Sequence, residues 1–376
     1  MSEPPIRVVI AGGGVAGLEA LLALHALARA RVRLTLVAPE DEFVYRPLAV
    51  EEPYGVERIR QVKLRAAADH ADAAFVAATI ESVDSDRKIA KTSEGRGLDY
   101  DALALAVGAR AVTPVAHAMV WDDRSDAETV GGLLQDIEQG YSRSLAVVVP
   151  QGPSWPLRGY ELALLTTLQA KGMGIDLETT LVTPDPPPIA LLGPTSVERI
   201  TGELERAGVA IAPAADVEVE VERGHRATVV LHPAEERLQV DRVLALPALR
   251  GRSIEGVPAD RYGFIEVDDH CRVHGLDRAW AAGDSTSFPL KSGGFAAEQA
   301  DVAAQDIAAV AGVDVEARPF AAAGRAELAG LPAGRFLKEW LAAGDEDALT
   351  THLPATGVPV LTYLQRDLSA GWRGHR

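Results

Sequence analysis

Apolar residues in this chain fall into short blocks whose period switches repeatedly between strand and helix. Ile6 to Ala11 is a β-branched run, Leu18 to Arg29 an Ala/Leu-rich helical stretch, and Val32 to Val37 a second buried strand. Glu42 to Leu48 is an extended apolar and aromatic segment stopped by Pro47, suited to a loop lining a ligand or to a buried connection. Ala74 to Ile80 and Lys88 to Thr92 predict short strands of a small antiparallel layer, with polar turns at Asp84 to Asp86 and Glu94 to Gly97. Leu98 to Arg110 predicts a buried strand ending at Gly108, where the backbone can turn close to a ligand. After a connector from Pro114 to Asp126 and a helix through Ile137, the opening order recurs: a strand at Ser144 to Val149, a helix from Tyr160 to Lys171, and a strand at Thr180 to Thr183.

The later part of the chain continues in the same manner. Pro186 to Pro188 is a turn, Ser196 to Ala207 a helix stopped by Gly208, and the alternation of Val217, Val219 and Val221 with Val229 and Leu231 after Gly224 predicts a hairpin. Strands are expected at Val240 to Pro247, Gly263 to Val267 and Ala279 to Ala282, with Arg250 to Asp260 crossing back between modules. An alanine-rich helix starts at Gly293 and ends near Val310. In the tail beyond Pro319, Phe336, Leu337, Trp340 and Leu341 share one helical face, as do Leu361, Leu364 and Leu368. Such faces serve core packing, a homodimer interface, or a surface touching a membrane or a quinone.

The turn between the first strand and helix carries Gly12-x-Gly14-x-x-Gly17. In a strand-turn-helix-strand context this spacing reads as a dinucleotide-binding unit: one glycine makes the tight turn, the next lets backbone approach a pyrophosphate, and the last lets helix and strand pack closely. The phosphates would sit at the helix N-terminus. The acid expected after the second strand is missing, since that place holds Ala38 followed by Pro39, Glu40 and Asp41. Glu40 or Asp41 holds the ribose from a shifted position, or backbone and water hold it.

The second module departs further. Its turn runs from Pro150 through Gly152, Pro153, Trp155 and Pro156 to Gly159 and Glu161, so proline replaces the first glycine and the glycine spacing is lengthened. That turn cannot wrap a pyrophosphate in the usual way, and fold and ligand have to be judged separately there. Near the end of the chain, Gly283-Asp284 closes a buried strand, where Asp284 can accept hydrogen bonds from a polyol; Gly293-Gly294 then opens a helix whose positive end can face an electron-rich ring.

Composition narrows the classes. A chain of 376 residues suggests two or three domains, and a net charge of −17 argues against nucleic acid or an anionic membrane as the main partner. The single Cys271 rules out chemistry that needs a cysteine pair within one chain. The N-terminal Met-Ser-Glu-Pro-Pro lacks a basic n-region and no apolar run reaches the length of a membrane span, so the expectation is a cytoplasmic protein with at most peripheral membrane contact.

Three motifs in order, Gly12-x-Gly14-x-x-Gly17, Tyr100 to Ala109 and Ala281-Ala-Gly283-Asp284, resemble the flavoproteins of the pyridine nucleotide-disulfide oxidoreductase superfamily. Phe43-x-Tyr45-x-Pro47-Leu48 and Pro289-x-Lys291-x-Gly293-Gly294 are most similar to its branch of type II NADH dehydrogenases and sulfide:quinone oxidoreductases. The resemblance implies an α/β fold of two Rossmann-like domains, an FAD-binding one from 1–118 and 255–312 and an NAD(P)-type one from 119–254, plus a C-terminal region 313–376. It implies FAD with its pyrophosphate at Gly12, Gly14 and Gly17, Asp284 on the ribitol or phosphate, and the isoalloxazine near Pro47, Lys291 and Gly294. Val15, Ala16, Glu40, Arg46, Gly108, Gly283, Gly293 and Phe295 complete the expected cofactor-binding set. Cys271 does not lie where the redox cysteines of that superfamily lie, so persulfide chemistry is not expected, and no metal site is expected.

The leading expectation is an FAD-dependent oxidoreductase that passes electrons from NAD(P)H to a quinone or similar acceptor. Lys291 would stabilise negative charge on reduced flavin and Glu161 would line the donor face. Two rivals keep the flavin: an enzyme reduced by another small molecule or a redox protein, with Trp155 filling the dinucleotide site, and a non-catalytic interaction module.

Overall fold

The computed structural model describes residues 4–45, 60–121, 126–184, 194–214, 216–221 and 226–320. Expectations placed on Arg46, Pro47 and Leu48, on Asp185 and the Pro186 to Pro188 turn, on Gly224 and on the tail from Phe336 to Leu368 lie outside those residues.

The first module begins with β1 (Ile6–Ala11), α1 (Val15–Ala28) and β2 (Val32–Ala38). β1 is buried from Val8 to Ala11, as a run with no polar side chain there requires. α1 is apolar around most of its circumference, the pattern of a helix covered on more than one side. An antiparallel pair β3 (Glu42–Tyr45) and β4 (Arg60–Lys63), helix α2 (Leu64–His70) and β5 (Ala74–Ala77) follow. β5 pairs in parallel with β2 and so belongs to the main sheet, not to the antiparallel layer expected from its polar surroundings. The intervening α2 makes the connection a crossover, which delivers a parallel neighbour. The antiparallel layer consists of β6 (Ile80–Asp84), β7 (Ile89–Thr92) and β8 (Gly97–Asp99). β9 (Ala102–Leu105) returns to the main sheet, and β10 (Ala109–Val112) leaves it.

The second module repeats this plan with β11 (Met119–Val120), α3 (Asp126–Glu138), β12 (Ser144–Val148), α4 (Leu157–Gly172), β13 (Glu178–Thr183), α5 (Pro194–Ala207) and β14 (Val209–Pro213). The expected hairpin is a three-stranded antiparallel sheet of β15 (Asp216–Val221), β16 (Ala227–His232) and β17 (Glu236–Val240). The single strand expected over 240–247 is instead the end of β17 and β18 (Arg242–Ala245). Asp241 separates them because its carboxylate accepts the Arg143 and Ser144 N–H groups at 2.8 and 3.1 Å. β19 (Ala248–Gly251) pairs antiparallel with β10, and β20 (Ala279–Ala281) and α6 (Gly293–Val310) complete the first module. Gly263 to Val267 is not a strand. Ile265 bridges Thr286 and Val267 bridges Val273, so no one partner offers a continuous ladder.

Both main sheets are parallel, β5-β2-β1-β9-β20 and β14-β13-β12-β18-β11; the first four strands of each correspond, whereas the edge strand β20 comes last in its module and β11 comes first in its own. The chain goes out and returns between them on the β10·β19 ribbon. In the first module, Ala16, Ala20, Ala106, Ala282, Ala296 and Ala300 form one seam of small residues that lets α1 and α6 lie against each other. That seam brings three separate turns together at one end of the sheet.

Candidate functional site

The first of those turns joins β1 to α1, and the three glycines of its spaced motif, Gly12, Gly14 and Gly17, differ in what they meet. Gly12 has φ +120°, its N–H donates to Val37 O at 2.8 Å, and a methyl on it would lie 2.0 Å from Ala106 O. A methyl on Gly17 would lie 1.8 Å from Gly12 O, so this glycine is required for helix and strand to approach. Gly14 differs: nothing lies within 4 Å of where its methyl would be. It is the N-cap of α1 in an ordinary extended conformation, with no capping side chain and no acid in the first turn of α1. The result is open space against a helix N-terminus, a setting whose room and field fit a pyrophosphate. Val15 and Ala16 begin that helix. Gly108, with φ +68°, makes the neighbouring turn after β9 and likewise faces open space.

The second turn follows β20. Gly283 has φ +74°, and a methyl on it would lie 3.1 Å from Ala16 Cβ and 3.2 Å from Ala296 Cβ, which places the turn between the first turns of α1 and α6. Its N–H donates to Gln299 Oε1 at 2.8 Å, its carbonyl accepts from Thr286 Oγ1 at 2.9 Å, and Ser285 Oγ donates to Leu105 O at 3.1 Å. These bonds hold half-buried Asp284 beside α1. Gln299, Ser285 and Thr286 escaped the sequence reading. A signal existed for one of them, because Gln299 is a polar residue within an otherwise alanine-rich helix.

The third turn precedes α6. Ser292 caps this helix by accepting the Phe295 N–H at 3.3 Å, so that donor is not free for a ring edge. Gly293 and Gly294 form its first turn. Lys291 is buried at 5% exposure, donates its ammonium to Thr286 O, and lies 4.3 Å over the Phe264 ring. Burial drives Lys291 down to about 8 against the upward pull of Asp284 and Asp260. It is thus an enclosed cation near Asp284, not a solvated one.

The second module contributes its own turn to this end of the first. Ser154 bridges Leu290 in parallel register, and Trp155 packs edge to face against Phe295 with ring centroids 6.1 Å apart. Gly159 is retained for packing, since a methyl there would lie 2.4 Å from Val149 Cγ2. Glu161, in α4, is buried at 6% exposure and engaged with other groups, so it does not present an open carboxylate.

Other expected residues separate from the cluster. Asp41 is committed to starting α2: its carboxylate accepts the Arg65 N–H at 3.1 Å and its carbonyl the Leu64 N–H at 2.9 Å. Glu40 is exposed, one residue beyond Pro39, which follows β2. Cys271 is buried in the apolar cluster of α1 and α6, where burial, then the Asp268, Asp269 and Asp306 carboxylates, push its thiol up to about 12. A thiol so placed is a poor nucleophile at neutral pH.

Residues 6–306 match the family described as pyridine nucleotide-disulphide oxidoreductase. The chain belongs to that family. It is an FAD-dependent oxidoreductase, and its relatives fall in the branch that the motifs resemble. It is 29% identical over 308 residues to a NADH dehydrogenase-like protein of Mycobacterium tuberculosis, an alignment covering 74% of this chain and 72% of the relative. The fold is similar to the sulfide:quinone oxidoreductase of the hyperthermophilic bacterium Aquifex aeolicus, with a TM-score of 0.70 and 18% identity over 80% of this chain and 76% of that one. It is also similar to NDH2 of Plasmodium falciparum, solved in complex with NADH, with a TM-score of 0.57 and 16% identity over 75% of this chain and 64% of that one. Among the described residues, no helix of this oxidoreductase is long and apolar enough to cross a membrane.

Proposed function

We propose that the first module of this oxidoreductase, 1–118 with 255–312, holds FAD, that the second, 119–254, receives NADH, and that a quinone or similar acceptor takes the electrons. The observation that carries this reading is the Gly14 cradle: open space at a helix N-terminus, flanked by the Gly283-Asp284 turn. FAD supplies hydride acceptance and electron release when bound. Gly12, Gly14, Val15, Ala16 and Gly17 would receive its pyrophosphate, Asp284 its ribitol hydroxyls, and Gly108, Gly293, Gly294 and Phe295 would line its path. Glu40 is the better candidate than Asp41 for the ribose, because Asp41 is already spent on α2. Lys291 would set a positive charge against the ring, and its low-polarity surroundings, which themselves disfavour that charge, strengthen its attraction to negative charge on the ring.

The donor is supported by the second parallel sheet and by the relative named NADH dehydrogenase-like. An apolar acceptor is supported by the aromatic group next to α6: Phe288 and Phe295 lie 5.3 Å apart, Phe288 and Phe320 5.2 Å. The test is anaerobic stopped-flow spectroscopy of the yellow protein with NADH and with NADPH, followed by reoxidation with a short-chain quinone. Rapid bleaching and quinone-dependent recovery are expected. Absence of bleaching over minutes, with dithionite still reducing the flavin, would overturn the donor assignment. One observation favours the second reading, a different donor: the turn over 149–156 is tied to 289–291 and carries Pro150 where a pyrophosphate turn needs glycine.

A further inference from the structure

Two backbone hydrogen bonds clasp the β12–α4 turn onto the segment that leads into α6. Ser154 N–H donates to Pro289 O at 3.1 Å, and Lys291 N–H donates to Ser154 O at 3.0 Å. The residue presented by this clasp is Trp155. Its indole packs on the core of the second module and reaches Phe295 in the first turn of α6. Pro150, Pro153 and Pro156 restrict the backbone on both sides, so the turn has little freedom to withdraw as a whole. The short turn from Gly12 to Gly14 leaves open space at Gly14; this longer turn instead puts a large aromatic ring against Phe295, with its backbone bonded to that of Lys291.

We propose that Trp155 is the wall of the flavin site on the side of the second module, a positioning residue held by the Ser154 clasp that screens the isoalloxazine from solvent and sets how a donor reaches it. This rests on the FAD reading above. Three consequences follow from the geometry. An indole at that wall quenches the emission of bound flavin and hides it from small ions in solution. Loss of its contact with Phe295 weakens the hold of the ring on that wall by roughly 2- to 12-fold, the worth of one edge-to-face aromatic pair. Phenylalanine at 155 keeps an apolar ring in the core of the second module but lacks the electron-rich indole.

The test compares wild-type holoprotein with Trp155→Phe and Trp155→Ala, measuring FAD stoichiometry, bound-flavin emission, and collisional quenching of that emission by iodide. The expected result is unchanged stoichiometry, emission raised several-fold in both variants, and iodide quenching raised in Trp155→Ala. Wild-type stoichiometry with unchanged emission and unchanged iodide quenching in both variants would overturn the assignment and leave Trp155 as a core residue only. Trp155→Phe keeps the question answerable where Trp155→Ala fails to fold. Failure of the FAD reading looks different, because wild-type protein itself would then take up no FAD, and both proposals would fall together.

Discussion

Replacing Gly14 by alanine separates binding from folding, because Gly14 is the one glycine of the first turn whose added methyl meets no atom within 4 Å. Its φ of −81° and ψ of −170° are open to alanine. Alanine is a poorer N-cap than glycine, but it also reduces the entropy of the unfolded chain by about 0.4–1 kcal/mol, so the two effects nearly cancel. The apoprotein should therefore melt within a few degrees of wild type. Binding is another matter. The methyl would occupy the cradle and hold a pyrophosphate off the helix N-terminus, forfeiting one or two charge-assisted hydrogen bonds of about 1.5–3 kcal/mol each. A loss near 3 kcal/mol raises Kd by roughly 100-fold. Gly17→Ala supplies the contrast: its methyl would lie 1.8 Å from Gly12 O, and backbone cannot retreat as a side chain does. Overpacking of that kind costs about 1–3 kcal/mol or more and should show in the melting temperature before any ligand is added. The assay is thermal unfolding of the apoprotein followed by FAD titration, read by quenching of FAD emission. If Gly14→Ala binds FAD within a few-fold of wild type, the cradle is not the pyrophosphate site and the reasoning fails.

Lys291→Met should lower the flavin midpoint potential, measured by dye equilibration, and an unchanged potential would remove Lys291 from the ring. Burial first holds Lys291 at about 8 in the fold against 10.5 when free, so between those values the unfolded chain binds more protons and wild-type stability rises with pH; Lys291→Met should lack that rise in melts taken from pH 7 to 11. Asp306→Ala should cost about 2–3 kcal/mol in denaturant unfolding, less than a fully buried pair, because Asp306 accepts Arg272 Nε and Nη2 at 2.6 and 2.7 Å and Trp280 Nε1 at 2.7 Å while Arg272 stays half in water. Burial alone would raise Asp306, but those donors outweigh it and hold it below its ordinary 3.8, so its contribution is present above that pH and lost as pH falls through the depressed value; an acid melt curve of Asp306→Ala with the same slope as wild type would refute this.

Much of the fold was legible because it is written in local period. β1, α1, β2, β12, α4 and β13 alternate buried runs with helical stretches, and each lies where its apolar residues predict. Errors came where partner choice, not period, decides the element. Ala74 to Ala77 has the pattern of an edge strand in either sheet, and only its docking on β2 assigns it. Ile265 and Val267 alternate correctly for a strand, yet they bridge different segments. Among site residues, Lys291 and Asp284 were visible from their motifs, whereas Gln299 and the commitment of Asp41 to α2 were not, since each depends on a bond across the fold or into a neighbouring element.

The sequence by itself determined the two parallel sheets and the need for glycine at 12 and 17, because turn conformation and helix-strand approach are demands made within a dozen residues. Tertiary structure decided the environment of the chemistry. The clasp joins Ser154 to Leu290, Lys291 is enclosed by Phe264 and Thr286, and Gly283 sits between Ala16 and Ala296. These partners come from distant elements that meet only when both modules have folded and α1 and α6 have packed, and a charge or an aromatic ring acquires its strength from the surroundings that packing supplies.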